Sequence, residues 1–512
     1  MRKKTFYITT TLPYVNADPH IGTVLEFLQA DAIARYHRMI GEDVIFNTGT
    51  DEHGVKIYRK AIENSQTPKQ YCDDQVEKFK ALKEILNLSY TNFIRTTDPI
   101  HVKAVQRFWE KCLENGDITK GKYKVKYCVG CELEKTDSEL VNGRCPIHPN
   151  YDLEVIEEEN YFFRFSKYQK KLLSLYEKKP DFVIPSKRYK EIVNFVKKGL
   201  KDFSISRVKE KMPWGIDVPN DPAHVIYVWF DALVNYISTI GWPEDIDKFE
   251  KYWPCVQIAG KDNLRQQSAM WQAMLLSAGL PTSKQIIIHG FITINGQKIS
   301  KSLGNVIHPI QLVEKYGKDA TRYYLLAKIP TLEDADFSFD QFETAYNDDL
   351  ANGLGNFISR VTSMVEKFFK GKVPKVKSDP QKHPLKISQD FYSLRKAYKD
   401  YRTALEMYRI DKAISYIWRY IKSSEKYIEE TKPWKLAKIN KEKLSYVVYG
   451  LVDALYNIAW MIYPFLPETS QKIAECLKID GLLKEYPIEE DKLPCIRDGT
   501  KITSPGILFP KG

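Results

Sequence analysis

Residues 6–22 read FYITTTLPYVNADPHIG and set the architecture of the N-terminal half. The β-prone run at residues 6–10 is followed by a turn-forming stretch that contains Pro13 and Pro19. Apolar residues then recur at helical spacing from Ile21 to Met39, and another β-prone run begins at Val44. A strand, a crossover helix and a second strand predict a parallel α/β sheet.

The rest of the chain divides into a part that continues this pattern and a part that abandons it. Further β-prone runs at residues 225–229, 256–259 and 285–288 are bounded by turn residues and predict more strands. After about Gln341 such runs stop, and apolar residues recur every three or four positions over 342–368 and 444–462. Sustained helical periodicity without strands predicts an α-helical bundle domain.

Composition indicates a globular protein of several domains. The chain has 512 residues, of which 43% are hydrophobic and 28% charged, and eight cysteines are too few for a disulfide scaffold. The net charge of +11 is weak evidence for a polyanionic partner. The most membrane-like stretch, residues 451–466, contains Asp453 and is interrupted by Pro464, so it falls short of the roughly 20 apolar residues that span a bilayer. We expect a cytoplasmic protein without a membrane segment.

Two segments have the character of a nucleotide site. His20 and Gly22 lie at a strand-to-helix junction, where unpaired N–H groups and the helix dipole favour phosphate. Residues 295–305 form a glycine-bounded loop in which Lys298 and Lys301 could neutralise charge on a triphosphate under attack. Taken singly, an ordinary helix start with a loop histidine and a solvated basic turn remain open alternatives.

Together the two segments resemble the paired signature of class I aminoacyl-tRNA synthetases, HIGH and KMSKS. Residues 20–23 read HIGT and residues 298–302 read KISKS. The resemblance implies that His20, Thr23, Lys298 and Lys301 act on ATP, held with Mg²⁺. It also implies an ATP site lined by Gly22, Gly260, Asp262 and Ser300. Thr23 stands where the family pattern has a second histidine, and a hydroxyl can bond phosphate but cannot carry charge.

Other segments resemble the methionyl-tRNA synthetase family within that class. They are residues 48–54 (TGTDEHG), 159–164 (ENYFFR), 213–216 (PWGI) and 227–236 (YVWFDALVNY). The resemblance implies that Asp51 binds the substrate ammonium group and that Leu12, Tyr14, Trp229, Ala232 and Tyr236 enclose the methionine side chain. Asn263 and Gln267 occupy pocket positions where the family commonly has an aliphatic residue and a histidine, and we expect a rearranged side-chain recognition there.

The cysteine cluster has the spacing of a metal site. Cys128 and Cys131, then Cys145 and His148, offer three sulfurs and an imidazole as a tetrahedral Zn²⁺ set with a structural role. Two unrelated turns with thiols are the alternative. In the helical part, Asn352, Asn356 and Arg360 are spaced by four residues.

Residues 432–434 (KPW) resemble the family's anticodon-reading site, so the resemblance assigns Asn356, Arg360 and Trp434 to tRNA. A solvated polar face and a core tryptophan are the alternative for these three residues.

The expected activity is that of a methionine–tRNA ligase, which forms methionyl-adenylate from L-methionine and ATP and transfers the methionyl group to tRNA(Met). The expected fold is a Rossmann-like catalytic domain (1–115 and 221–290) with a zinc-knuckle connective insertion (116–220). A linking segment with the lysine loop (291–345) and an all-α anticodon-binding bundle (346–512) follow. We expect a monomer. A synthetase for isoleucine, leucine, valine or cysteine and a catalytically silent RNA-binding paralogue are the competing hypotheses.

Overall fold

The N-terminal half is built around a parallel sheet. In a computed structural model, which describes residues 3–130, 133–135, 140–299, 304–376, 392–479 and 493–510, six parallel strands follow the order β3-β2-β1-β12-β13-β7. These strands are β1 (Thr5–Thr9), β2 (Asp43–Thr50), β3 (Asn92–Arg95), β7 (Val183–Ile184), β12 (Val256–Gly260) and β13 (Gln285–His289). The predicted Rossmann-like sheet is confirmed.

Both faces of this sheet are covered. Along β1, Phe6 and Ile8 belong to one hydrophobic core, whereas Tyr7 between them belongs to another on the opposite face. This alternation is the period of two that a strand imposes, and apolar residues on both faces are typical of parallel sheets. The helices of this half are α1 (Ile21–Met39), α2 (Val55–Glu63), α3 (Pro68–Ile85), α4 (Pro99–Glu114), α5 (Gln169–Lys178), α6 (Ser186–Lys197), α7 (Val228–Leu233), α8 (Asn235–Ser238), α9 (Ile246–Tyr252) and α10 (Trp271–Ser277).

Two antiparallel sheets lie between β3 and β12 in the chain. One contains β4 (Ile118–Cys128), β5 (Leu133–Lys135), β6 (Glu154–Phe163) and β8 (Phe203–Ser204). The other contains β9 (Ser206–Val208), β10 (Asp217–Val218) and β11 (Asp221–Ile226). Strand β7 also falls within residues 116–220, yet it pairs with β13 and extends the parallel sheet.

The strand predicted at residues 225–229 is wrong in its second half. Strand β11 ends at Ile226 and pairs antiparallel with β9 and β10, outside the parallel sheet, and α7 begins at Val228. A short apolar run cannot distinguish a strand from a buried helical segment. Here Phe230, Leu233 and Ile237 are all buried and continue the run at helical spacing.

A small sheet and a helical bundle complete the chain. The small sheet consists of β14 (Ile292–Ile294), β15 (Gln297–Lys298) and β16 (Ala335–Phe337). The helices are α11 (Pro309–Tyr316), α12 (Lys318–Tyr323), α13 (Phe339–Ala345), α14 (Asn356–Phe369), α15 (Leu394–Glu406), α16 (Ile410–Thr431), α17 (Pro433–Ile439), α18 (Lys441–Ile462) and α19 (Pro467–Leu477). Among the described residues no named strand follows Phe337, which confirms the predicted all-α C-terminal part.

Irregular helical segments supplement these elements within the part of the chain that the structure describes. They are the 3₁₀ turns Phe165–Tyr168 and Lys261–Asn263 and the π-helical segments Gln266–Met270, Tyr324–Lys328 and Tyr346–Gly355. Helix α18 is long and apolar enough to cross a membrane by length and composition, but 72% of its most apolar window is buried inside the protein. Packing within the bundle therefore accounts for its apolar character.

A buried arginine connects the two halves. Arg322 of α12 donates to Asp31 of α1 at 2.6 Å and to the carbonyl oxygens of Leu86, Pro464 and Phe465 at 3.0, 3.0 and 2.7 Å. Burial alone would raise the pKa of the Asp31 carboxyl, but its arginine partners lower it to about 2. Helix α1 is thereby fixed to the turn between α18 and α19.

Removal of the Asp31 carboxylate would leave the Arg322 guanidinium buried without its counter-charge. We expect Asp31→Ala to lower the free energy of unfolding by about 3–5 kcal/mol, as found when one partner of a buried ion pair is removed. The matched control is Arg107→Ala, whose pairs with Glu110 and Glu114 are exposed, and we expect a change below about 1 kcal/mol. Urea unfolding of both variants measures the difference; equal losses would contradict the assigned role of the pair.

Candidate active site

The parallel sheet offers a cleft where its strand order reverses. Strands β1 and β12 are neighbours, and the chain continues from β1 to β2 on one side and from β12 to β13 on the other. Ligands of open α/β sheets bind outside the carboxyl ends of the strands at such a point. The segment that follows β1 leads to His20, and the segment that follows β12 contains Gly260 and Asp262.

His20 is the N-cap of α1. Its Nδ1 accepts hydrogen bonds from the backbone N–H groups of Gly22 and Thr23, at 3.1 and 3.4 Å. An imidazole nitrogen that accepts carries no proton, so the ring is neutral and Nε2 carries the hydrogen. A ring of this tautomer can donate a hydrogen bond to a phosphate oxygen beside the positive end of the helix.

The lysine loop is anchored on this helix start. The backbone N–H of Ile21 donates to the carbonyl oxygen of Ile307 at 3.1 Å, and His308 Nδ1 lies 3.3 Å from the carbonyl oxygen of Pro19. On the other flank, a Cβ atom at Gly22 would lie 3.7 Å from Cδ1 of Ile299. Residues on both sides of the loop therefore contact the first turn of α1.

The loop itself is only partly described. Ser300, Lys301 and Ser302 lie outside the described residues, and of Lys298 the backbone is described as part of β15. Strands β14 and β15 form a hairpin whose two-residue turn, Asn295 and Gly296, has φ angles of 52° and 72°. Asn-Gly is the preferred sequence for such a turn because both residues must adopt positive φ.

The segment after β12 supplies the opposite wall. A Cβ atom at Gly260 would lie 2.8 Å from the carboxylate of Asp262, which it would displace, and in ordinary contact with Nε2 of His289 at 3.6 Å. Asn263 donates to the Asp262 carboxylate at 3.3 Å. Its amide is therefore directed at the predicted nucleotide residue rather than at an apolar contact.

Six of the predicted methionine residues fall on three segments: the loop after β1, the end of β2, and α7 with α8. The backbone of Asp51 pairs with the loop at residues 13–15: its N–H donates to Pro13 at 2.9 Å, and its carbonyl oxygen accepts from Val15 at 3.3 Å. This pairing brings Leu12 and Tyr14 beside Asp51. Trp229, Ala232 and Tyr236 lie on α7 and α8, and Tyr236 is fully buried. The indole N–H of Trp229 is also buried, with no acceptor among the described residues.

A buried carboxylate fixes α7 against the segment that contains Asp51. Asp231 accepts from Nδ1 of His53 at 2.7 Å and from Nε2 of His101 at 2.8 Å. Burial would raise the pKa of the Asp231 carboxyl, but the two histidines lower it below its usual value. The ionised carboxylate, situated between Trp229 and Ala232 in the chain, holds this side of the pocket in place.

Gln267 is part of a buried amide network. Its side-chain oxygen accepts from Nε2 of Gln257 at 2.8 Å, and the Gln257 oxygen accepts from the hydroxyl of Ser283. Burial raises the pKa of the Tyr236 phenol, and interactions with the side chains of Gln267 and Gln257 partly offset that rise. Gln267 therefore contacts a predicted pocket residue, and its polar atoms are satisfied without a charged ring.

The predicted zinc ligands converge. The ligand atoms of Cys128, Cys145 and His148 lie within 4.8 Å of one another, and both cysteines are buried. Cys131 lies outside the described residues, but its neighbour Gly130 packs so closely on the His148 ring that a Cβ atom there would overlap it. Thiolate and imidazole donors at this separation suit Zn²⁺.

The side chain of Lys56 connects this knuckle to the cleft. It donates to the Gly130 carbonyl at 2.8 Å and lies 5.4 Å from the ring centre of Tyr14.

The predicted tRNA residues lie at the surface of the bundle. Asn356 begins α14 and is exposed, Arg360 donates to Glu429 at 2.5 Å, and Trp434 is 43% exposed. Asn352 precedes them in the π-helical segment, so the regular spacing of four residues on an α-helix does not extend to it. The exposed indole of Trp434 offers a face on which a base can stack.

Sequence reasoning missed four buried side chains around the cleft: Glu26, His53, His101 and His289. His53 stood inside a quoted motif, so its proximity to Asp51 was accessible. Glu26 could have been noticed as a charged residue between the apolar Leu25 and Phe27 near the start of the predicted helix. His101 and His289 had no local signal because their partners are distant in the chain.

Comparison with known proteins agrees with this geometry. The family model for class I tRNA synthetases (M) matches residues 6–154 and 138–362, and that for the anticodon-binding domain of methionyl tRNA ligase matches residues 375–511. The fold and the cleft thus define a class I aminoacyl-tRNA synthetase.

Similar proteins show to which family within the class I aminoacyl-tRNA synthetases the chain belongs. The methionine–tRNA ligases of Caldanaerobacter subterraneus subsp. tengcongensis and Thermotoga maritima are 43% and 44% identical, over 99% and 91% of this chain and 79% and 74% of theirs. A Mycobacterium tuberculosis methionyl-tRNA synthetase in complex with methionyl-adenylate superimposes with a TM-score of 0.92 at 34% identity, over 99% of this chain and 100% of that one. The chain belongs to the methionine–tRNA ligase family.

The cap geometry makes Gly22 a sensitive position. A Cβ atom there would lie 2.9 Å from Cε1 of His20 and would displace the ring. We expect Gly22→Ala to reduce ATP–pyrophosphate exchange by about 10–100-fold, because one misplaced catalytic group costs this much. Gly121→Ala is the control, since its Cβ atom would meet only the Phe162 ring at 3.9 Å. Similar exchange rates for the two variants would contradict the role given to His20.

Proposed function

We propose that the cleft activates methionine by adenylation with these residues in the roles described next. The joining of the lysine loop to the start of α1 supports the proposal most directly. It puts a helix N-terminus and a lysine-bearing loop at the same end of the sheet. Both elements act by orientation and charge neutralisation, which carry most of the catalysis in nucleotidyl transfer.

In the first step the carboxylate of methionine attacks the α-phosphorus of ATP and pyrophosphate leaves. His20, Gly22 and Thr23 hold phosphate oxygens, and Gly260, Asp262 and Ser300 line the rest of the nucleotide site. Lys298 and Lys301 neutralise the charge that develops on the phosphates. ATP enters with Mg²⁺, which neutralises part of the triphosphate charge.

Substrate selection uses the pocket beside this site. Asp51 binds the ammonium group of methionine, and Leu12, Tyr14, Trp229, Ala232 and Tyr236 surround its side chain. Contacts between a thioether and aromatic rings are favourable by about 0.3–1.5 kcal/mol. Asn263 and Gln267 act on this pocket indirectly, Asn263 through its hydrogen bond to Asp262 and Gln267 through its interaction with Tyr236.

In the second step a ribose hydroxyl of the terminal adenosine of tRNA(Met) attacks the methionyl carbonyl carbon of the adenylate, so that an ester bond forms and AMP leaves. Recognition of the anticodon falls to Asn356, Arg360 and Trp434. The Glu429 carboxylate orients the Arg360 guanidinium, while the exposed indole of Trp434 stacks on an unpaired base.

The remaining proposals concern metal, organisation and location. Cys128, Cys131, Cys145 and His148 hold one structural Zn²⁺, which stabilises a segment too small to fold alone. We propose domain boundaries at residues 115, 220, 290 and 345, with β7, inside the 116–220 segment, contributing to the parallel sheet. The enzyme acts as a cytoplasmic monomer.

Substitution of one lysine of the loop should affect methionine activation without affecting the affinity for tRNA(Met). We expect Lys301→Ala to reduce methionine-dependent ATP–pyrophosphate exchange by at least about 100-fold, because one donor at a developing charge contributes this much. Its affinity for tRNA(Met) should stay within about 3-fold, since the bundle is unchanged. Lys511→Ala, a substitution in the C-terminal residues, is the control. Unchanged exchange in Lys301→Ala would contradict the proposed mechanism.

The metal proposal predicts a definite stoichiometry. Metal analysis of the purified protein should give about one zinc per chain, and Cys145→Ser should lose it because four protein ligands close a structural site. Cys495→Ser, outside the cluster, should retain it. We expect the zinc-free variant to melt at a lower temperature yet to keep methionine activation, because a closed site leaves no position for substrate. Full zinc content in Cys145→Ser would refute the assignment.

A further inference from the structure

Glu26 is a charged side chain that the proposed mechanism does not use. It lies on α1, one turn after Thr23, and only 7% of its surface is exposed. A carboxylate is seldom buried to this degree unless several donors compensate for the lost solvent. Its donors come from two other parts of the cleft.

The first donor residue is Thr11, in the loop that leads to the methionine pocket. Both the backbone N–H and the hydroxyl of Thr11 donate to Oε1 of Glu26, at 2.6 and 2.7 Å. Thr11 directly precedes Leu12, so this pair of hydrogen bonds fixes the loop that carries Leu12 and Tyr14 against α1.

The second donor is His289 at the end of β13. Its Nε2 lies 3.0 Å from Oε2 of Glu26, and its Nδ1 lies 2.7 Å from the carbonyl oxygen of Gly290. A carbonyl oxygen can only accept, so Nδ1 must donate; a carboxylate also accepts, so Nε2 donates as well. Both nitrogens then carry hydrogens and the ring is an imidazolium. Burial would lower the pKa of His289, but Glu26 raises it above its usual value.

His289 stands at the base of the lysine hairpin. The chain passes from His289 through Gly290 and Phe291 into β14, whose hairpin partner β15 contains Lys298. Gly290 packs directly on the backbone of Glu333, and the N–H of Phe291 donates to the carboxylate of Asp334 at 2.9 Å. The base of the hairpin is thus held from one side by Asp334 and from the other by Glu26.

We propose that Glu26 and His289 form a positioning ion pair that keeps three parts of the cleft in register: the methionine loop through Thr11, the phosphate-binding helix α1, and the base of the lysine hairpin. Neither side chain needs to touch a substrate. The inference rests on the proposed function, since it assigns a role within the same adenylation site.

The test uses methionine-dependent ATP–pyrophosphate exchange by the full chain. Glu26→Ala should reduce kcat by about 10–100-fold, because misplacement of the hairpin by about 1 Å suffices for such a loss. The KM values for ATP and methionine should change by less than about 3-fold, since the lysines act mainly in the transition state. An increase in KM without a decrease in kcat, or an unchanged kcat, would overturn the proposal.

Glu26→Gln separates hydrogen bonding from charge. The amide can still accept from Thr11 and can donate to a neutral His289, so we expect kcat at pH 7 within about 5-fold of the wild type. The wild-type rate should decline at alkaline pH as His289 loses its proton. The rate of Glu26→Gln should not show this alkaline decline. The other titratable groups facing the pair, Asp262 toward His289 and Tyr236 toward Glu26, are unchanged in the variant.

A similar pair at the far end of α1 provides the control. His37 Nδ1 lies 2.6 Å from Glu42, and Glu42→Gln should leave kcat unchanged. If Glu26→Ala fails to fold, the pH profile of Glu26→Gln decides, and an identical alkaline decline in wild type and variant overturns the ion pair. Absence of methionine-dependent exchange in the wild type would instead contradict the proposed function itself.

Discussion

The hydrogen bond from the N–H of Ile21 to the carbonyl oxygen of Ile307 joins two segments that lie far apart in the chain. One segment begins the helix that caps itself with His20, and the other closes the loop that carries the lysines. Neither element is a nucleotide site alone, because a helix N-terminus orients phosphate without neutralising it and a basic loop neutralises charge without orienting it. The remaining structure maintains this junction. The parallel sheet sets the direction of α1, and the Arg322–Asp31 pair fixes the middle of α1 to the helical half.

The sequence allowed the architecture to be predicted wherever the signal was local. The helix from Ile21 to Met39 has its predicted limits, and β12 and β13 begin at their predicted residues. Period-two and period-3.6 patterns are properties of neighbouring residues, so they can be read without knowledge of the fold. The run at 225–229 was mistaken for a single strand because five apolar residues fit a strand and a buried helix equally well.

The candidate site was predictable to the extent that motifs mark it. Resemblance indicated His20 and Asp51, and spacing indicated the cysteine cluster, in which the ligand atoms of Cys128, Cys145 and His148 lie within 4.8 Å of one another. The supporting residues were not predictable. His101 and His289 have roles only through their hydrogen-bond partners Asp231 and Glu26, which are distant in sequence. Gln267 was predictable in part. Its departure from the family pattern is visible in the sequence, but its interactions with Gln257 and Tyr236 depend on the fold.

The proposed mechanism requires a single nucleotide to lie between the start of α1 and the lysine loop. A crystal structure of the protein with methionine and a non-hydrolysable ATP analogue would locate that nucleotide. We expect phosphate oxygens within hydrogen-bonding distance of His20 Nε2, with Lys298 and Lys301 directed at the same phosphates. A nucleotide bound elsewhere on the sheet, or phosphates that contact only one of the two segments, would contradict it.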